Sequence, residues 1–141
     1  MKFKSDNKSV LVVGTGTIGE PLIGLFADHK KTLGIDEVFF HKRTPLSYER
    51  SKVNNLISRG AKLVVDDDCE QKFFDLGHKV SRTLSVVFEE VGVIIDCTPD
   101  GNRNKNLYYK EALFHDSNKL VLAQGSEKGF GIPYAYSIND E

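Results

Sequence analysis

Runs of about four apolar residues punctuate this chain. They are Val10-Leu11-Val12-Val13, Val38-Phe39-Phe40 behind Glu37, Leu63-Val64-Val65 behind Lys62, Val93-Ile94-Ile95 leading into Asp96-Cys97, and Leu120-Val121-Leu122-Ala123. Residues that are apolar at successive rather than alternate positions suit strands buried on both faces. Between the runs the apolar spacing turns helical. Ile18, Leu22, Leu25 and Phe26 form the stripe of a first helix that ends near His29-Lys30-Lys31 and Gly34, and Leu46, Val53, Leu56 and Ile57 form a second. Thr44 reads as the N-cap of that second helix, Pro45 as its first residue and Gly60 as its stop. Shorter helices are predicted over Glu70 to Leu76 and over Leu84 to Val91, the latter with Glu89 and Glu90 outward. Asn102 to Asp116 is predicted as the last helix before the final strand.

Strands that alternate with helices predict an α/β fold: a doubly wound, mostly parallel sheet with helices on both faces, in a single domain. Residues 125–141 read as an exit segment, because Gly129, Gly131, Pro133, Tyr134 and Tyr136 carry no period. At 141 residues and 15.8 kDa, with 40% hydrophobic residues, the chain suits one core rather than two.

Where the first strand meets the first helix, Gly14, Gly16 and Gly19 have the G-x-G-x-x-G spacing. In a dinucleotide-binding, Rossmann-like fold one such glycine permits the tight turn, one lets backbone approach a pyrophosphate, and one lets the helix pack on the strand. The ligand's anion then faces free N–H groups at the positive end of a helix, which makes Thr17 and Ile18 candidate contacts with the glycines. The alternative is an ordinary glycine-rich turn.

The end of the second strand decides which dinucleotide fits. An acid there accepts the ribose 2'-hydroxyl of NAD, whereas basic residues accommodate the 2'-phosphate of NADP. Here it reads His41-Lys42-Arg43-Thr44, with no carboxylate. Arg43 offers a forked donor and Lys42 a point charge, so NADP is favoured over NAD unless both are solvated loop charges. The fourth strong run ends in Thr98-Pro99-Asp100-Gly101, which should face the same crevice. Thr98 is thus either a contact to the nicotinamide-side ribose or phosphate, or part of a plain strand-ending turn.

Charge and cysteine content narrow the classes. Lys and Arg total 19 against 20 Asp and Glu, a formal net charge of -1, so no nucleic-acid partner is indicated and any anion site is local. No segment reads as a signal or a membrane span, which makes a cytoplasmic setting the default expectation. Cys69 and Cys97 form no C-x-x-C or disulfide framework, and His29, His41, His78 and His115 lack metal-ligand spacing. Asp66-Asp67-Asp68 reads as a capped, solvated turn rather than a metal site. Cys97 reads as a small buried hydrophobe that no histidine activates.

Taken together, these stretches resemble the cofactor domain of the archaeal, type II, phosphorylating glyceraldehyde-3-phosphate dehydrogenases. Gly14-Thr15-Gly16-Thr17-Ile18-Gly19 resembles the family's G-x-G-T-I-G loop, and His41 to Glu49 resembles its K-T-x-P-x-Y-E segment. Asp96-Cys97-Thr98-Pro99-Asp100-Gly101 matches D-x-T-P-x-G, Lys105-Asn106 follows as K-N, and Gln124-Gly125-Ser126-Glu127-Lys128 resembles Q-G-G-E-K. The resemblance implies that the glycine loop, Lys42, Thr98, Pro99, Gln124 and Gly125 surround an NAD(P) cofactor used in oxidative phosphorylation of an aldehyde.

The family's essential cysteine, in an S-C-N-T-T motif, begins a catalytic domain, and neither Cys69 nor Cys97 matches it. This stretch is therefore expected to bind cofactor without a catalytic residue of its own, as a cofactor module or one part of a split oxidoreductase. The family also returns a C-terminal helix onto this domain, so a homo-oligomer or a partner chain carrying a catalytic domain is expected. Glu20 stands where the family has a basic residue, and Pro21 removes an early helix N–H. These two features favour the alternative, a non-enzymatic interaction or regulatory protein that kept the fold and lost nucleotide binding. Another reductase on the same sheet is a third reading.

Overall fold

The computed structural model describes residues 8–115, 118–124 and 128–138. Six strands form one sheet: β1 (Val10–Val13), β2 (Val38–His41), β3 (Lys62–Val65), β4 (Val80–Thr83), β5 (Val93–Asp96) and β6 (Leu120–Ala123). Their order is β4-β3-β2-β1-β5-β6 and every pairing is parallel. The connections hold α1 (Gly19–Asp28), α2 (Lys30–Leu33), α3 (Arg50–Ser58), α4 (Glu70–Asp75) and α5 (Leu84–Glu90). The last connection is α6 (Gly101–Asn104), a π-helical turn (Lys105–Tyr109) and α7 (Lys110–His115). This is the Rossmann-like α/β architecture expected. Among the described residues, no helix is long and apolar enough to cross a membrane.

Because successive side chains of a strand point to opposite faces, each run builds two cores. Val10, Val12, Val38 and Phe40 join Ile23 of α1 and Val53 and Leu56 of α3 on one side. Leu11, Val13, Phe39 and Val64 join Leu84 and Val87 of α5, with Tyr109 and Phe130, on the other. Phe130 lies outside any helix or strand, yet it packs edge-on to Tyr109 with ring centroids 6.4 Å apart.

Two local expectations fail. The second helix does not start at Thr44-Pro45. Leu46 is extended, with φ -104 and ψ 121, and a short 3-10 turn over Ser47–Glu49 precedes α3. β4 was not foreseen because Val80-Ser81-Arg82-Thr83 is mostly polar, and none of its four residues is fully buried in this edge strand.

Leu11 is fully buried at the sheet centre. Leu11→Ala should therefore cost about 2–5 kcal/mol, read by urea unfolding, and a loss below about 1 kcal/mol would contradict its packing.

Candidate functional site

The chain winds outward from β1 through β2 and β3 to β4, then returns to place β5 on the other side of β1. At such a switch point the turns after β1 and β5 diverge and leave a crevice at the strands' carboxyl ends. Glycine closes the first turn. A Cβ on Gly19 would lie 2.0 Å from the Gly14 carbonyl oxygen, so α1 can start this close to β1 only without a side chain there. Gly14 sits at φ 100, and a Cβ on it would stand 2.9 Å from the Thr98 methyl. Gly16 has open space instead, with nothing within 4 Å of a Cβ position.

α1 has no side-chain cap. Among the described residues no group accepts a hydrogen bond from the N–H of Gly16, Thr17 or Ile18. Three adjacent amides, on exposed residues at a helix start, are therefore unpaired, an arrangement suited to an anion. Glu20 does not fold back as a cap; it is half-buried, and its charge attracts the Arg59 guanidinium across the helix pair.

A cleft of about 260 Å³ at the strand ends is lined by Val13, Gly14, Thr15, His41, Lys42, Arg43, Thr44, Leu46, Thr98, Pro99 and Asp100. It brings together five of the sequence-derived site residues: Gly14, Lys42, Arg43, Thr98 and Pro99. Gly16, Thr17 and Ile18 are exposed on the adjoining corner. Gln124 is exposed at the end of β6, where its N–H donates to the Asp96 carbonyl at 2.8 Å, and it does not line the cleft. Gly125 lies outside the described residues. A larger groove of about 950 Å³ runs between α5 and α7 and contains none of these residues. The unpaired amides lie at the strand ends, beside the smaller cleft.

The two cations at the end of β2 differ in state. Arg43 is exposed, and among the described residues no acid lies within ion-pair distance of it, although its charge adds to the His41 bond in holding the Asp66 carboxyl low. Lys42 is only 7% exposed, and its ammonium donates to Glu49 Oε2. The other Glu49 oxygen accepts from Lys52 Nζ at 2.5 Å, and Lys52 also donates to the Thr15 carbonyl at 3.0 Å. Burial pushes the Glu49 carboxyl up, but hydrogen bonds from Lys42 and then Lys52 outweigh it and hold it below its ordinary value. His41 faces Asp66 at 2.8 Å, and that bond keeps the Asp66 carboxyl low.

Asp96 is a structural centre that the motif reading missed. It is fully buried, and its Oδ1 accepts from the Thr98 N–H at 2.8 Å and the Thr98 hydroxyl at 2.6 Å. Its Oδ2 accepts from Asn104 Nδ2 at 2.9 Å and from the Tyr109 hydroxyl at 2.5 Å. Burial and the hydrogen bond to Asp96 push the Tyr109 phenol far above its ordinary value. The Thr98 hydroxyl is thus engaged with Asp96, and its methyl faces Gly14. The legible signal was an acid closing an otherwise apolar strand, two residues before a threonine.

Neither cysteine thiol is activated. Burial, then the Asp96 charge, push the Cys97 thiol up to about 11. Burial also raises the Cys69 thiol, with Asp68 adding to the effect. Asp66, Asp68 and Cys69 approach one another, but Asp66 is already held by His41.

Sequence comparison supplies the relatives of this geometry. Glyceraldehyde-3-phosphate dehydrogenases of Methanobacterium bryantii and Methanobacterium formicicum are each 32% identical over 124 residues, which is 86% of this chain and 33% of theirs. That of Thermoplasma volcanium is 29% identical over 119 residues, 80% of this chain and 33% of its own. The chain is similar to archaeal glyceraldehyde-3-phosphate dehydrogenase. It spans about a third of the length of those dehydrogenases, and the similarity is to their N-terminal domain. No family model matches. The resemblance to the dehydrogenase is carried by the glycine corner, the end of β2, the turn after β5, Lys105-Asn106 and the Gln124 to Lys128 stretch.

Gly19→Ala should destabilise the chain by about 1–3 kcal/mol because the added methyl meets backbone, whereas Gly16→Ala should stay within about 0.5 kcal/mol. Thermal unfolding of both variants checks this, and equal losses would contradict the corner as described.

Proposed function

We propose that this chain binds a nicotinamide dinucleotide in the strand-end crevice, NADP in preference to NAD. The supporting observation is the row of unpaired amides at Gly16, Thr17 and Ile18. It begins where Gly19 lets α1 abut the Gly14 carbonyl, beside a cleft edged by Arg43. The residues fit the group. The open space at Gly16 admits a pyrophosphate, the amides would receive its oxygens, and the Arg43 guanidinium would receive a 2'-phosphate in forked geometry. Thr98 and Pro99 would form the opposite wall, with Gln124 beyond.

In the dehydrogenase reading the dinucleotide supplies hydride acceptance. The chain's own residues bind and orient it. An aldehyde-oxidising, phosphorylating reaction also needs a thiolate that forms a thiohemiacetal, and neither Cys69 nor Cys97 has the environment for one. We therefore propose that the described residues act as the cofactor module of a phosphorylating aldehyde dehydrogenase, with the nucleophile from a further domain or a partner chain. Exposed Leu107 and Tyr108 along the groove between α5 and α7 support a surface that another segment covers.

Fluorescence titration should show NADPH binding more tightly than NADH. Arg43→Ala should weaken NADPH about tenfold while leaving NADH within about twofold. Gly16→Ala should weaken both, since its methyl would stand where the diphosphate lies. Binding of neither nucleotide at millimolar concentration would remove this reading.

A further inference from the structure

We propose that Glu49 sets how strongly this site favours a 2'-phosphorylated dinucleotide, by acting as a built-in anion that occupies Lys42 until a phosphate displaces it. This rests on the dinucleotide reading above and adds the residue that tunes it.

Lys42 faces the cleft at the end of β2, where the 2'-phosphate of an adenosine ribose would arrive. A nearly buried ammonium without a counter-charge is unfavourable, so something must neutralise it in the free protein. Glu49 does so from the 3-10 turn before α3, with one oxygen on Lys42 and the other on Lys52. The same turn displaces the helix start and so brings the carboxylate back toward β2. Lys52 ties the arrangement to the glycine corner through the Thr15 carbonyl. One carboxylate thus bridges Lys42, which lines the cleft, and Lys52 beside it.

Two consequences follow from the charges. A phosphate monoester carries about -1.5 to -2 at neutral pH against -1 on Glu49, so it can compete for Lys42, but part of its attraction to the ammonium is offset by repulsion from the carboxylate beside it. NAD brings no phosphate to that position and leaves the Lys42–Glu49 pair intact. Glu49 therefore opposes NADP selectively.

Glu49→Gln keeps the shape and removes the charge. In the full chain, it should tighten NADPH about five- to tenfold while NADH stays within about twofold, so the affinity ratio rises. Glu49→Asp, which retains the charge, should keep the ratio close to that of the wild type and serves if the glutamine variant does not fold. A fall in the ratio for Glu49→Gln, or an equal change for both nucleotides, would overturn the assignment while leaving the dinucleotide reading in place. In the Asp variant, a rise in the ratio matching the effect expected from charge removal would overturn it too. Wild-type protein that binds neither NADPH nor NADH would overturn both.

Discussion

The contact on which the rest depends is the approach of α1 to the end of β1, with Gly19 lying against the Gly14 carbonyl. No residue with a Cβ can stand there without moving backbone. Because the helix starts so close, the chain between Gly14 and Gly19 must turn outward, and its amides lose any partner within the turn. The unpaired donors are thus a by-product of packing and need no dedicated side chain. The parallel order then sets their surroundings. β5 returns beside β1, so its turn brings Thr98 against Gly14 from one side while the end of β2 brings His41 to Arg43 from the other.

Charges around that corner are mostly settled internally. Asp66 answers His41, Glu49 answers Lys42 and Lys52, and buried Asp96 gathers donors from Thr98, Asn104 and Tyr109. A fully buried carboxylate is tolerable only with its oxygens satisfied, and here they hold the turn after β5 in shape. The π-helical turn over Lys105–Tyr109 carries Tyr109, whose hydroxyl reaches Asp96 in the core. Arg43 and the three amides are what the arrangement leaves for an incoming anion.

The sheet was legible because β1, β2, β3 and β5 are largely sealed on both faces and cannot hide their composition, and β6, although an edge strand with Leu120 exposed, is an apolar run as well. β4 was not legible, since Val80, Ser81, Arg82 and Thr83 are mostly polar and none is fully buried in this edge strand. Thr44-Pro45 carries a strong helix-start signal, but the extended Leu46 that follows delays α3. In the site, glycine spacing was readable because backbone geometry requires it. The state of Lys42 was not. Its partner lies seven residues on, across a bend, and spacing says nothing about which of several nearby acids will pair with a buried ammonium. Asp96 was readable only as an acid ending an apolar run, and its four hydrogen bonds needed the fold to assemble them.

The most direct test of the central claim is the amide proton and nitrogen NMR spectrum of the labelled chain as NADPH is added. Binding at the first β-to-α corner predicts that the N–H signals of Gly16, Thr17 and Ile18 shift most, with smaller shifts at Thr98 and Arg43. Shifts confined to the groove between α5 and α7, or an unchanged spectrum at millimolar nucleotide, would contradict it.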